Sequence, residues 1–338
     1  MSASLVALEE SLLALSNLAD AATEYARGAK SKNTRRAYAS DLRDFDAFCR
    51  AHGVDSLPAT PQTVALYLTH LASGVPASSV ATIRRRMVSI AQAHKKALLG
   101  GVTPPNPVAD PHVREIVQGI TRSLGTAQRK KTALTADHLP SVILTMDTTT
   151  IKGKRNKAIV LLTFFCAARR SEIAALDIKD LRFEKSGLVV VIRKSKTDQT
   201  GQGREIGVPY VANKGLCAVR AVEEWLSAIP GYLPCDPVFR TLALAGKGKV
   251  QSLTDRRIDP EDINRIVKMV TKKAGIKGDF GAHSLRAGFI TTAASTPGVT
   301  ESSIMGVSGH RSVMILRGYV RRANVFQDAP ASAMFGAA

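Results

Sequence analysis

Acidic residues are scarce in this chain, and so are cysteine and aromatic residues. Only four cysteines occur in 338 residues (Cys49, Cys166, Cys217, Cys235), with no Cys-x-x-Cys pair and no histidine at ligand spacing. That scatter reads as reduced thiols and argues against a disulfide framework or a structural zinc site. There is no acidic cluster at Mg²⁺ spacing and no phosphate-binding glycine loop, so neither a metal nor a cofactor is expected. No apolar run approaches the ~18 residues that a membrane span needs. The first residues, Met1-Ser2-Ala3-Ser4-Leu5, put no basic segment ahead of an apolar block, and Glu9 and Glu10 interrupt the run of leucines after them. No signal peptide is expected, and the location implied is cytoplasmic.

Acid is short where base is plentiful. Against 28 Asp and Glu stand 47 Lys and Arg, a formal charge of +19 and an isoelectric point near 10.1. Such a balance favours a polyanionic partner, because each neutralised phosphate releases counterions. Nucleic acid comes first, a membrane surface or an acidic protein second. Hydrophobic content of 45% is ordinary for a soluble globular protein, and the length suits roughly two domains.

The first half reads as helical throughout. Leu5, Leu8, Leu12, Leu15 and Leu18 recur every three or four residues between Ser2 and Tyr25, the stripe of an amphipathic helix. A second helix is expected from Thr34 to His52, with Tyr38, Leu42, Phe45 and Cys49 inward and Gly53 closing it. Thr60-Pro61 caps a third through Leu71, Ser78 to Leu98 makes a fourth, and Asp110-Pro111 opens a fifth. Arg84, Arg85 and Arg86 sit in mid-helix and Arg35 and Arg36 near a helix start; both groups are candidate DNA-facing cations, although a charge run is also the usual dress of a solvated face. The polar segment from Gly125 to Lys131 contains Arg129, Lys130 and Lys131 and reads as a basic linker.

Beyond the linker a buried helix is expected from Lys154 to Cys166, followed at once by Ala168-Arg169-Arg170-Ser171-Glu172-Ile173. The pattern then turns to β: Leu188 to Ile192 and Glu205 to Tyr210 form a hairpin around a long polar tip that carries Lys196. Helices return from Gly215 to Ile229, from Asp259 to Ala274, and on to Tyr319, whereas Gly231 to Ile258 shows no clear pattern. His283 and Arg286 lie three apart and so project from one helix face. With His310 they can offer donors to one anion, and Tyr319 is the phenol nearby in sequence. Taken singly, each has a bland explanation: an Arg169–Glu172 ion pair, a solvated Lys196, a structural His283, an ion-paired Arg286, a core tyrosine.

Order and spacing together say more. Arg-x-x-Glu, a hairpin Lys, His-x-x-Arg, Gly-His and a Tyr nine residues later resemble the tyrosine recombinase (phage integrase) family, most closely its simple Cre-type and Xer-type members. The resemblance covers essentially the whole chain. It implies a mainly α fold with a small β-hairpin, in which a helical core-binding domain (residues 1–124), a linker (125–133) and a catalytic domain (134–326) form a C-shaped clamp on double-stranded DNA. It further implies that Arg169 and Arg286 hold the non-bridging oxygens of the scissile phosphate, that Lys196 protonates the leaving 5′-oxygen, and that His283 and His310 assist. Tyr319 matches the nucleophile, and Glu172 matches an acidic residue that orients the site.

Ala167-Ala168 departs from the Gly-Leu often found before the first arginine, a change that reads as a variation in packing. The chemistry itself needs neither ATP nor metal, since a 3′-phosphotyrosine conserves the phosphodiester bond. A phenol of pKa about 10 does need cationic neighbours, and fixed Arg and His donors stabilise the charge gathering on phosphate. A homotetramer on two DNA sites, a Holliday junction, association with the nucleoid and a docking role for the apolar tail (327–338) are also implied. Two rivals stand beside this reading: a type IB topoisomerase, and a DNA-binding architectural protein that kept the fold without the catalysis.

Overall fold

The computed structural model describes residues 2–127, 131–193, 203–245, 250–310, 312–314, 316–318 and 334. Lys196, Tyr319, Arg129 and Lys130 lie outside the described residues, as does the tail from Gln327 apart from Met334. The chain divides into two compact units, Met1–Arg129 and Lys130–Ala338.

The first unit is helical: α1 (Ser2–Gly28), α2 (Lys32–Ala51), α3 (Pro61–Ser73), α4 (Val80–Lys96) and α5 (Pro111–Leu124). Side chains with an oxygen near the backbone begin four of them. Ser31, Thr60, Ser79 and Asp110 each accept a hydrogen bond from a first-turn N–H, which satisfies donors that the helix itself leaves open. Phe45, Cys49, Val64, Tyr67, Leu68, Ile83 and Ile90 make the core. Buried Asp41 on α2 takes a bidentate pair from Arg85 and a hydroxyl from Ser89, which braces α2 against α4. The stripe of α1 is not covered in the same way: its Leu15 and Leu18 are more than half exposed, as is Leu13 beside it.

The second unit is built around α7 (Ile151–Phe165), buried along nearly its whole length. Around it stand α6 (Leu139–Leu144), α8 (Arg170–Ala174), α9 (Ala218–Leu226), α10 (Pro260–Lys273), α11 (Ala282–Ala294) and α12 (Glu301–Ser308). A three-stranded antiparallel sheet runs β1 (Leu181–Glu184), β2 (Gly187–Ile192), β3 (Arg204–Pro209), with Val190 opposite Ile206 and Ile192 opposite Arg204. A second pair, β4 (Arg240–Ala245) and β5 (Val250–Arg257), is antiparallel as well.

The mainly helical class with small antiparallel sheets is the one expected from the sequence. Three details differ. The hairpin gains β1 as a third strand, the unpatterned stretch before Ile258 holds β4 and β5, and the run after Arg286 is two helices separated at Thr296-Pro297-Gly298.

Candidate active site

The site begins where α7 ends. Its last carbonyls are closed by a Schellman arrangement: Ala168 N–H donates to Thr163 O at 3.1 Å and Ala167 N–H to Phe164 O at 2.8 Å. The residue at the turn must be left-handed, and Ala167 takes φ +44°. The reversal has two consequences. Arg169 becomes the residue that starts α8, and the Ala167 carbonyl is turned out of the helix to accept Arg286 Nη1 at 2.6 Å. One helix ending thus sets one guanidinium and receives another. The departure from Gly-Leu is therefore a matter of backbone conformation, which corrects the packing interpretation.

Arg286 and His283 sit in the first turns of α11, and the start of that helix is held from α10. Asn264 Oδ1 accepts Ala282 N–H at 3.0 Å, while Asn264 Nδ2 donates to Glu261, which also pairs with Arg170. His310 follows Gly309, the left-handed cap of α12 (φ +68°). Arg286 is only 2% exposed and its Nη2 lies 3.1 Å from His310 Nε2, while His310 Nδ1 lies 2.8 Å from Ser308 Oγ. A guanidinium has donors only, so the imidazole nitrogen facing it must accept. Nη2 also lies 3.4 Å from His310 Nδ1, so the guanidinium faces both ring nitrogens and favours the neutral imidazole. Burial first, then the charges of Arg286 and Arg169, push its pKa down to about 4. The same causes in the same order lower His283.

Glu172 anchors the opposite side. It is buried, and it accepts the Arg169 backbone N–H at 2.9 Å on Oε2 and Arg169 Nη1 at 2.7 Å on Oε1. Burial alone would raise its pKa; Arg204 and the hydrogen bonds from Arg169 outweigh that, and the carboxyl lies below its ordinary value. The ordinary ion pair foreseen for Arg169 is therefore present, and the same guanidinium still acts on both histidines. Arg204 is the residue that sequence reasoning missed. From the first position of β3 it donates Nη2 to Glu172 Oε2 at 3.0 Å. The signal available was faint: a lone arginine at the inner end of a polar loop, in register with buried Ile192.

Residues 132–324 match the phage integrase family, and residues 24–96 match the phage integrase N-terminal SAM-like domain. The chain belongs to the phage integrase family. An integrase/recombinase xerD homologue from Selenomonas ruminantium is 34% identical over 90% of this chain and 86% of its own length. Among solved structures, XerH recombinase bound to palindromic difH in a post-cleavage complex superposes with a TM-score of 0.61 at 17% identity, covering 88% of this chain and 79% of that one. The Tn1549 transposon integrase with transposon right-end DNA gives 0.60 at 17% identity, covering 94% and 98%. Both share the fold of this integrase.

Arg169, Glu172, His283, Arg286 and His310 are thus brought together in this integrase from three separate segments, while Lys196 and Tyr319 lie outside the described residues. The candidate DNA-facing cations divide. Arg35, Arg36 and Arg84 are exposed, and Arg84 makes only a 3.4 Å contact to Thr121. Arg85 is held by Asp41, and Arg86 by Asp44 and the Tyr67 hydroxyl with its side chain 17% exposed. Of the three consecutive arginines, Arg85 and Arg86 therefore carry carboxylate partners on α2, Arg85 with its side chain still 47% exposed. Lys131 pairs with Asp279. Among the described residues no three His, Cys, Asp or Glu side chains gather as a metal site, and no helix is long and apolar enough to cross a membrane.

Proposed function

We propose that this integrase-family chain is a site-specific DNA recombinase that cuts and rejoins duplex DNA through Tyr319. The observation that carries the reading is the convergence of Arg169 and Arg286 on two neutral histidines beside a buried carboxylate. Two fixed guanidiniums suit the non-bridging oxygens of a phosphodiester, whose negative charge grows as a fifth oxygen approaches phosphorus. Neutral imidazoles can donate to that phosphate or take a proton. His283, kept uncharged by burial and by both arginines, is suited to receive the phenolic proton.

In the step proposed, the Tyr319 oxygen forms a bond to phosphorus while the bond from phosphorus to the 5′-oxygen breaks. Lys196 gives a proton to the departing oxygen, and Glu172 keeps Arg169 in place. A 5′-hydroxyl from the partner strand reverses the step. The number of phosphodiester bonds is unchanged and no energy source is consumed. Residues 1–124 form the core-binding domain, 125–133 the linker and 134–326 the catalytic domain. Arg35, Arg36 and Arg84 are assigned to the DNA backbone, and Arg129, Lys130 and Lys131 to its approach along the linker. Exchange proceeds in a homotetramer on two sites through a Holliday junction, with residues 327–338 docking between subunits; the protein acts at the nucleoid.

A nicked-duplex trap tests this. A nick just beyond the scissile phosphate lets the short strand escape, so the protein–DNA adduct accumulates and can be read on a denaturing gel. The intact protein forms the adduct; Tyr319→Phe binds the same DNA and forms none. Adduct formation by Tyr319→Phe would remove the assignment of the nucleophile.

A further inference from the structure

Arg204 takes no part in the transesterification, yet it is built into the site. It is 14% exposed at the side chain and its Nε is buried with no hydrogen-bond partner. Nη2 shares Glu172 Oε2 with the Arg169 backbone N–H. Nη1 stands so close to Gly309 that a Cβ there would lie 2.9 Å from it. One planar side chain therefore touches both the carboxylate that holds Arg169 and the turn that carries His310. Its charge also helps keep His310 unprotonated.

We infer that Arg204 is a positioning residue of the recombinase site: it shares the Glu172 carboxylate with Arg169 and supports the Gly309–His310 turn. The inference rests on the recombinase function proposed for this chain. Glu172 is an almost fully buried anion contacted by two guanidiniums. Its charge, were Arg204 absent, would fall on Arg169 alone, drawing that side chain inward and away from a phosphate. The Gly309 turn would lose the flat surface against which it packs. A lysine could restore the charge but not both contacts, since an ammonium is a single point while a guanidinium is a rigid fork. Arg204 is also the first residue of β3, so one residue links the sheet to both helix ends.

The test uses the full chain and the nicked duplex, comparing R204A, R204K, E172Q and E172Q/R204A. Adduct formation at saturating DNA should slow about 10²-fold in R204A, the loss expected when a reacting group is displaced by an ångström or so. DNA affinity should stay as in the intact protein. Ethylguanidine added to R204A should restore part of the rate, and the acid limb of the pH profile should move to higher pH as His310 loses a repelling cation. Neither change is expected if the residue merely holds the sheet. The double variant should lose less than the product of the two single losses, because the two changes share one carboxylate. A folded R204A that reacts at the intact rate, or losses that multiply in the double variant, would overturn the inference. Should R204A not fold, R204K decides: it must be slowed while retaining its melting temperature, and an intact rate counts against the role. If the unaltered protein forms no adduct at all, the recombinase reading falls first, and this role with it.

Discussion

Ala167 places a methyl group in a backbone region where side chains are crowded by their own carbonyl, and it does so fully buried. Left-handed backbone costs an L-residue about 1–2 kcal/mol. Removing the methyl would relieve that cost but lose ~0.8 kcal/mol of burial and about 0.5–1 kcal/mol of chain entropy. The opposing contributions nearly cancel, so Ala167→Gly should leave stability within about 1 kcal/mol of the parent. Ala167→Val is different: a β-branched residue at φ +44° is strained and overpacked together, and a loss of about 2–4 kcal/mol is expected. Chemical denaturation of the three proteins measures both values; a stable Val variant would show that the turn is not left-handed. At this scale the sequence singled out Arg169, Glu172, His283, Arg286 and His310, because their spacing is a pattern. Ala167 was legible only as an unusual residue, and Arg204 only as a lone arginine at the end of a polar loop, because its partner Glu172 lies 32 positions away across a strand register.

Elements were legible where a local cap announced them. Thr60-Pro61, Asp110-Pro111 and Asp259-Pro260 each stand at the start of a helix, and each capping side chain accepts a first-turn N–H. Short or unpatterned strands were harder to read. β1 alternates as Leu-Arg-Phe-Glu but is only four residues long with three of them exposed, and β5 reads Val-Gln-Ser-Leu-Thr-Asp-Arg-Arg, without a period of two. Helix α11 presents a further element-scale feature, a glycine chosen for closeness. A Cβ on Gly288 would lie 1.7 Å from the Leu134 carbonyl oxygen, and that backbone cannot rotate away. Gly288→Ala must therefore push α11 off the segment at Leu134, and with it His283 and Arg286. The expected cost is at the upper end of the roughly 1–3 kcal/mol typical of overpacking, read as a lowered denaturation midpoint together with slower adduct formation. A variant of unchanged stability would mean that α11 does not rest on Leu134.

For the whole molecule, +19 invites the simple expectation that every basic residue serves the nucleic acid. The ion pairs divide that charge into two populations. Arg85 and Arg86 pair with Asp41 and Asp44 within the first unit, Arg85 with its side chain 47% exposed, whereas Arg35, Arg36 and Arg84 are exposed. Only a cation that meets a phosphate releases a counterion, so the two populations separate in a salt titration. Each of Arg35→Ala, Arg36→Ala and Arg84→Ala should weaken binding and reduce the slope of log affinity against log salt by ~1. Arg86→Ala removes a partner from Asp44, from Tyr67 and from the neighbourhood of Asp41. It should cost about 1–3 kcal/mol of stability in the first unit and leave the slope unchanged in protein that remains folded. Fluorescence anisotropy with a labelled duplex between about 50 and 200 mM salt, run beside thermal melts, measures both. A reduced slope for Arg86→Ala at an unchanged melting temperature would mean that this arginine leaves its carboxylate for the DNA, and that the internal pairing of the free chain is exchanged on binding.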